Sequence, residues 1–148
     1  MKQVDRRTLC ALIPHTGTMC LLERVESWDE KNIVCTAHSH RAADNPLRLN
    51  GRLAAIHALE YAAQAMAVHG GLTAQRANKH LPSGFLVAVR HAQFHFDRLD
   101  TLDHPLTIVA TRLIASDANQ IYRTEVSAAS QLIAEARLTT MHAIETAT

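Results

Sequence analysis

Few cysteines, almost no excess charge and no long uninterrupted apolar run: these shortages bound what a chain of 148 residues can be. The three cysteines, Cys10, Cys20 and Cys35, are odd in number and form no C-x-x-C pair. No disulfide scaffold is expected of them; they read as buried apolar fillers in a reducing cytoplasm. Lys and Arg number 15 against 14 Asp and Glu, a formal net charge of +1, which lacks the basic footprint of a nucleic-acid-gripping protein. The apolar stretch from Leu53 to Val68 is broken by His57, Glu60 and Gln64 and falls short of a membrane span. The first ten residues are charged and carry no apolar core, so no signal peptide is expected. G-x-S-x-G, a Walker-type G-K-[S/T] and G-x-G-x-x-G are all absent, which removes the usual sequence grounds for a nucleophile elbow or a phosphate cradle. His38 with His40, and His91 with His95, have two-histidine spacings but no Cys or Asp pattern to complete a metal set. Nothing in the chain calls for a cofactor, a metal, nucleic acid or a membrane.

What is present is a composition of ordinary globular type, 47% hydrophobic and 20% charged. A single domain over 1–148 is expected, since a chain of this size buries roughly 70% of its unfolded surface. Cys20 to Trp28 and Lys31 to His40 read as extended segments around a polar turn, with Ile33, Cys35 and Ala37 on one face by the two-residue period. A loop from Ala42 to Gly51 leads to a helix with Asn50 as its N-cap, seven alanines between Ala54 and Ala67, and Gly70-Gly71 as its stop. Thr73 to Ser83 reads as a surface loop. Strands are expected from Gly84 to Leu99, Leu106 to Ala115, Gln120 to Ala129 and Gln131 to Ala143. Ser116-Asp117-Ala118-Asn119 gives a strong hairpin signal, and the turn near Ser130 a weak one. A helix apolar on nearly every side must be buried, so the economical arrangement is α+β, an antiparallel sheet wrapped around one long helix.

His57, Glu60 and Gln64 are the strongly polar residues of that helix. Spaced i, i+3 and i+7, they fall within about 60° of one another on an α-helix. Tyr61 sits beside the stripe and can add its hydroxyl. Three readings stand side by side: a catalytic stripe, a buried structural network, and a solvated face. The absence of Lys and Arg from the stripe counts against the last. A poorly solvated carboxylate is the kind of group that enzymes use to exchange protons.

Three stretches, taken in order, resemble the 3-hydroxyacyl-[acyl carrier protein] dehydratases of the hotdog fold. They are Leu12-Ile13-Pro14-His15-Thr16-Gly17-Thr18-Met19-Cys20-Leu21-Leu22-Glu23-Arg24-Val25, then Leu59-Glu60-Tyr61-Ala62-Ala63-Gln64, then Gly84 to Phe96 with the hairpins after it. The resemblance runs from Leu9 to Ala143. It implies a hotdog fold paired into a dimer, with acyl tunnels at the subunit interface. It also implies removal of water from a 3-hydroxyacyl thioester on the phosphopantetheine arm of an acyl carrier protein. By the same resemblance Glu60 falls on the helix carboxylate and Gln64 on the glutamine one turn later.

The loop before the helix departs from the family. Where the family carries Gly-His-Phe-Pro-Gly, this chain has Asp44-Asn45-Pro46-Leu47-Arg48-Leu49-Asn50-Gly51, and the family's histidine falls at Pro46. Elimination needs one group to take the α-proton and one to help hydroxide leave. His57, one turn before Glu60, is the nearest substitute; His15, His38 and His40 are further candidates, and no histidine partner at all is the other reading. The Asn45-Pro46 loop and Glu60-Tyr61-Ala62-Ala63-Gln64 are similar to a divergent branch associated with aryl-polyene and xanthomonadin-type pigment clusters. On this reading Glu60 and His57 are the candidate catalytic residues, and Gln64, Asn45 and Tyr61 the candidate substrate-binding residues. The leading function is a dehydratase-like lyase in fatty-acid or polyene biosynthesis. An acyl-thioester hydrolase and a non-catalytic subunit of a heterodimeric dehydratase are the alternatives. Acyl carrier protein is the expected partner, with a homodimer or a heterodimer with a related dehydratase as the assembly. Arg48, Arg52 and Arg90 are conceivable members of a basic rim that would receive the carrier protein.

Overall fold

The computed structural model describes residues 3–14, 17–79, 84–116 and 118–142. Its frame is one six-stranded sheet in the order β1-β2-β4-β5-β6-β3, antiparallel at every pairing. The strands are β1 (Arg24–Trp28), β2 (Asn32–Ala37), β3 (Gly84–Phe94), β4 (Leu106–Ala115), β5 (Asn119–Ala128) and β6 (Gln131–His142). A short helix α1 (Arg6–Cys10) precedes them, and the long helix α2 (Ala58–Arg76) lies between β2 and β3. The two-residue period puts Ile33, Cys35 and Ala37 of β2, Leu106, Ile108 and Ala110 of β4, and Ala136 and Leu138 of β6 on the buried face. Tyr61, Ala62, Ala65, Met66 and Val68 of α2 complete that core, as expected of a sheet wrapped around an apolar helix.

The ends of α2 differ from the local signals. Asn50 does not cap it: Asn50 and Gly51 form a left-handed turn with φ of 53° and 76°, and a 3-10 turn at Ala55–His57 leads into the helix without a side-chain cap. Tertiary bonds set the start instead. Leu53 N–H donates to Asp100 Oδ1 at 2.9 Å, Leu99 N–H to the Leu53 carbonyl at 2.8 Å, and Ala55 N–H to the Asp97 carbonyl at 2.9 Å. Arg98 grips the same Asp100 carboxylate, and with the Leu53 bond it holds that carboxyl well below the usual range. At the other end α2 runs through Gly70-Gly71 to Arg76, so the expected loop at 73–83 begins later. Gly71 lies against Leu12: a Cβ on it would meet Leu12 Cβ at 3.3 Å, so the Leu12 side chain would have to give by a few tenths of an ångström.

Two further expectations are corrected. Cys10 and Cys20 form a disulfide with Cα atoms 5.9 Å apart, which pins α1 to the segment that leads into β1. An odd count hid one bonded pair and one free thiol, and the argument from cysteine number for a reducing compartment falls with it. Cys35 is the buried filler, its thiol pushed up to about 12 by burial. The long strand from Gly84 stops at Phe94 rather than Leu99, after a bulge in which His91 has φ of 54°. The β5–β6 turn is tighter than its sequence suggests, since Ala129 and Ser130 both take positive φ, 49° and 65°. At the β4–β5 turn Ser116 N–H bonds the Asn119 carbonyl at 2.9 Å, while Asp117 lies outside the described residues. Among the described residues, no helix is long and apolar enough to cross a membrane.

Strand β3 is an edge. Among the described residues it pairs only with β6, and Phe85, Leu86, Val87, Val89 and Phe94 all stand exposed along it. A long apolar edge of this kind offers unpaired backbone to another chain.

Candidate active site

The polar stripe of α2 resolves into parts with different work. Gln64 is buried, at 1% exposure. Its Oε1 accepts from Leu21 N–H at 2.9 Å, and its Nε2 donates to the Met19 carbonyl at 2.8 Å and to Glu60 Oε1 at 3.2 Å. One donor and two acceptors around the amide fix its orientation. It ties the opening segment to the helix and aims the Glu60 carboxylate. His57 is the last residue of the 3-10 turn, not of the α-helix, so the 100° step that aligned it with Glu60 does not apply.

Tyr61 and Asn45 are buried together, at 0% and 5% exposure. Asn45 Nδ2 donates to Tyr61 Oη at 3.2 Å and to the Ser39 carbonyl at 2.9 Å, while its Oδ1 accepts from Leu47 N–H at 2.9 Å. Ser39 Oγ donates to the Leu21 carbonyl and lies 2.8 Å from Tyr61 Oη, so the tyrosine proton points to Ser39. Burial is the main reason the Tyr61 phenol is raised. Arg48 spends its guanidinium on the carbonyls of Ala42, Gly51 and His40, which explains why it is half-buried; Arg52 and Arg90 are exposed. The loop that departs from the family's histidine motif is thus locked by its own polar residues.

Glu60 and Gln64 line a cavity of about 530 Å³; among the described residues His57, Asn45 and Tyr61 do not. The cavity exists because one face of α2 is built from Ala63, Ala67, Gly71 and Ala74, whose small side chains leave the space open. Leu12, Ile13, Met66, Phe85 and Leu86 supply apolar wall. A half-buried carboxylate at such a wall can exchange a proton with a group on an otherwise apolar ligand. On the sheet side the wall is Gln120, Thr140 and His142. These were missed in the sequence, although the period of two that carries Ala136 and Leu138 inward continues to Thr140 and His142.

Of the remaining histidines, His15 and His80 lie outside the described residues, and His40 keeps a buried Nδ1 without a partner among the described residues. The H-x-H pair is not on a strand, since β2 ends at Ala37. His38 pairs with Glu23 at 3.2 Å, and buried His40 uses Nε2 on the Leu102 carbonyl at 3.1 Å. His91 and His95 are exposed, and the bulge in β3 separates them. His69 is fully buried; Nε2 donates to the Asp29 carbonyl at 2.7 Å and Nδ1 therefore accepts from Tyr122. Burial lowers both His40 and His69 and pushes Tyr122 up to about 12.

Residues 7–148 match the ApeP-like family, described as ApeP dehydratase. The fold is similar to that of the dehydratase heterocomplex ApeI:P from Xenorhabdus doucetiae, with a TM-score of 0.82 at 22% identity over 93% of this chain and 91% of that one. It is also similar to a putative thioesterase from Shewanella oneidensis, with a TM-score of 0.63 at 12% identity over 94% of each chain. AziG of S. sahachiroi gives 0.54 at 20% identity over 82% and 90%. No curated protein matches the chain. The antiparallel sheet around one helix is the hotdog fold shared with these neighbours, and the family match over residues 7–148 makes this chain a member of the ApeP-like dehydratases.

Proposed function

We propose that the chain works as one subunit of a dehydratase for 3-hydroxyacyl thioesters carried on acyl carrier protein. The observation that carries this reading is Glu60, aimed by Gln64 into a cavity whose other walls are mainly apolar. In the elimination Glu60 protonates the departing C3 hydroxyl, the C2–H bond gives up its proton to a base, and the electron pair becomes the C2–C3 double bond. The base is the part this loop lacks. Asn45-Pro46 presents no imidazole, His57 stands off the cavity wall, and His142, which does line it, keeps both ring nitrogens buried. We therefore place the base on a related dehydratase subunit. The apolar edge of β3, whose Phe85 and Leu86 also line the cavity, is where that subunit docks. The similar ApeI:P structure is a heterocomplex, which agrees with such a pairing. On the pattern Asn45-Pro46 with Glu60-Tyr61-Ala62-Ala63-Gln64, we assign the substrate to polyene biosynthesis of the pigment-cluster type.

The test is the intact mass of a carrier protein loaded with a 3-hydroxyacyl group, incubated with the chain alone and with a co-purified dehydratase partner. Loss of one water in the complex, abolished by Glu60→Gln, is the expected result. Loss of water from the chain alone, sensitive to His57→Ala, would instead make His57 the base. Loss of the whole acyl group would make the protein a hydrolase, the reaction suggested by its thioesterase-like neighbour. Turnover unchanged by Glu60→Gln refutes the assignment of Glu60.

A further inference from the structure

The outer face of the sheet carries its charges in two rows. Along β5 and β6 the period of two sends Tyr122, Thr124, Ala136 and Leu138 into the core and leaves Arg123, Glu125, Glu135 and Arg137 on the opposite face. Register then sorts these residues by sign. Arg90 of β3, Arg137 of β6 and Arg123 of β5 are direct cross-strand partners, and so, further along the strands, are Gln93, Glu135 and Glu125. The three arginines, Gln93 and Glu125 are exposed, and Glu135 is half-buried. The two rows lie about 7 Å apart.

This sorting works against the isolated chain. Like charges directly opposite each other on a sheet are destabilising, and opposite charges are stabilising. Exchanging residues 135 and 137 alone would set a glutamate opposite Arg123 and an arginine opposite Glu125. Nor do the rows neutralise each other: none of the five charged side chains makes an ion pair or a side-chain hydrogen bond with another described residue. An acidic partner would meet the glutamates together with the arginines. The surface that complements both rows at once is the same pattern turned end over end.

We infer that this outer face pairs with the same face of a second copy of the chain. A two-fold axis between the two facing sheets, parallel to the rows and midway between them, lays each arginine row on the other copy's glutamate row. Arg137 then faces Glu135 of the other copy and Arg123 faces its Glu125, and symmetry repeats both contacts. Facing sheets pack about 10 Å apart, a gap that an arginine and a glutamate span together. Val109, in register with Glu125, and the register pair Ile114 and Ile121 add apolar surface beside the rows, with Ile114 at 53% exposure. Exposed ion pairs contribute little each, so the pairing is weak and salt-sensitive. It leaves the edge of β3 open, and it stands independently of the assignment of Glu60.

Sedimentation velocity on the full chain in its native assembly tests this. At fixed micromolar concentration, the mass in low-salt buffer should be twice that in about 1 M salt, where charges are screened beyond about 3 Å. Arg123→Glu/Arg137→Glu should halve the low-salt mass, and so should Glu125→Arg/Glu135→Arg. An equimolar mixture of the two variants should recover the full mass, as should the fourfold variant that exchanges the rows. All of these positions lie on the surface, and circular dichroism checks that each variant is folded. A wild-type mass independent of salt, or one that neither double variant changes, overturns the inference. Halving by both variants without recovery in the mixture overturns it as well. Halving by the arginine variant alone overturns self-pairing in favour of an acidic partner.

Discussion

Gln64→Leu keeps the volume of the side chain and removes its three hydrogen bonds. Two of these serve the backbone of the opening segment, Leu21 N–H and the Met19 carbonyl. Leu21 is buried at 1% exposure, so its N–H cannot turn to water and should cost about 1–3 kcal/mol. The Met19 carbonyl is half-buried and recovers part of its hydration, adding roughly 0.5–1 kcal/mol. A total near 3 kcal/mol should lower Tm by roughly 6–12 °C in a domain of this size. Thermal and urea melts followed by circular dichroism measure it, with no ligand present. The variant also removes the Gln64 bond to the Glu60 carboxylate, so turnover in the assembled dehydratase should fall alongside stability. A Tm within about 2 °C of wild type would refute the reasoning and return Gln64 to the ligand-binding role that its place in the family motif implies.

The buried histidines make the fold acid-sensitive. His40 and His69 have lowered pKa values in the folded state, burial being the leading cause, so the unfolded chain takes up their protons first. Below about 6.5 the unfolded state therefore binds more protons and stability falls with pH, while above that value the contribution vanishes. Urea midpoints should decline between about pH 7 and 5, and a His40→Gln/His69→Gln variant should show a flatter decline; a wild-type midpoint constant over that range contradicts the account. Thiol titration checks the disulfide: without reductant the native protein should show no rapidly reacting thiol and the denatured protein only Cys35. All three thiols reacting in unreduced, denatured protein would mean Cys10 and Cys20 are not bonded. Replacing Ala129-Ser130 by Asn-Gly should stabilise the fold by about 1–2 kcal/mol, because both positions take left-handed backbone. A lower melting temperature for that variant would show that the turn is held by something other than its own backbone preference.

The sequence by itself determined the elements whose cause is local. Alternation in β2, β4, β5 and β6 comes from the pleat of a strand buried on one face, and it is visible in Ile33, Cys35 and Ala37 without any neighbour. The alanine-rich helix was legible for the same reason, and so was Glu60, because a carboxylate among alanines stands out. Tertiary structure decided where the local signals compete. Helix α2 passes through two glycines to Arg76, with Leu12 packed against Gly71, and it starts where segment 53–55 bonds to 97–100 rather than at Asn50. The stripe divided for a similar reason: Gln64 found backbone partners 43 and 45 residues away, and His57 fell on a 3-10 turn. His142 carries no signal beyond the period of two. Its ring packs against Gly84, brought beside it only when β3 joins the far end of the sheet, next to β6. A hydrogen bond or a cavity wall between distant segments is a property of the assembled sheet, and no window of sequence contains both of its ends.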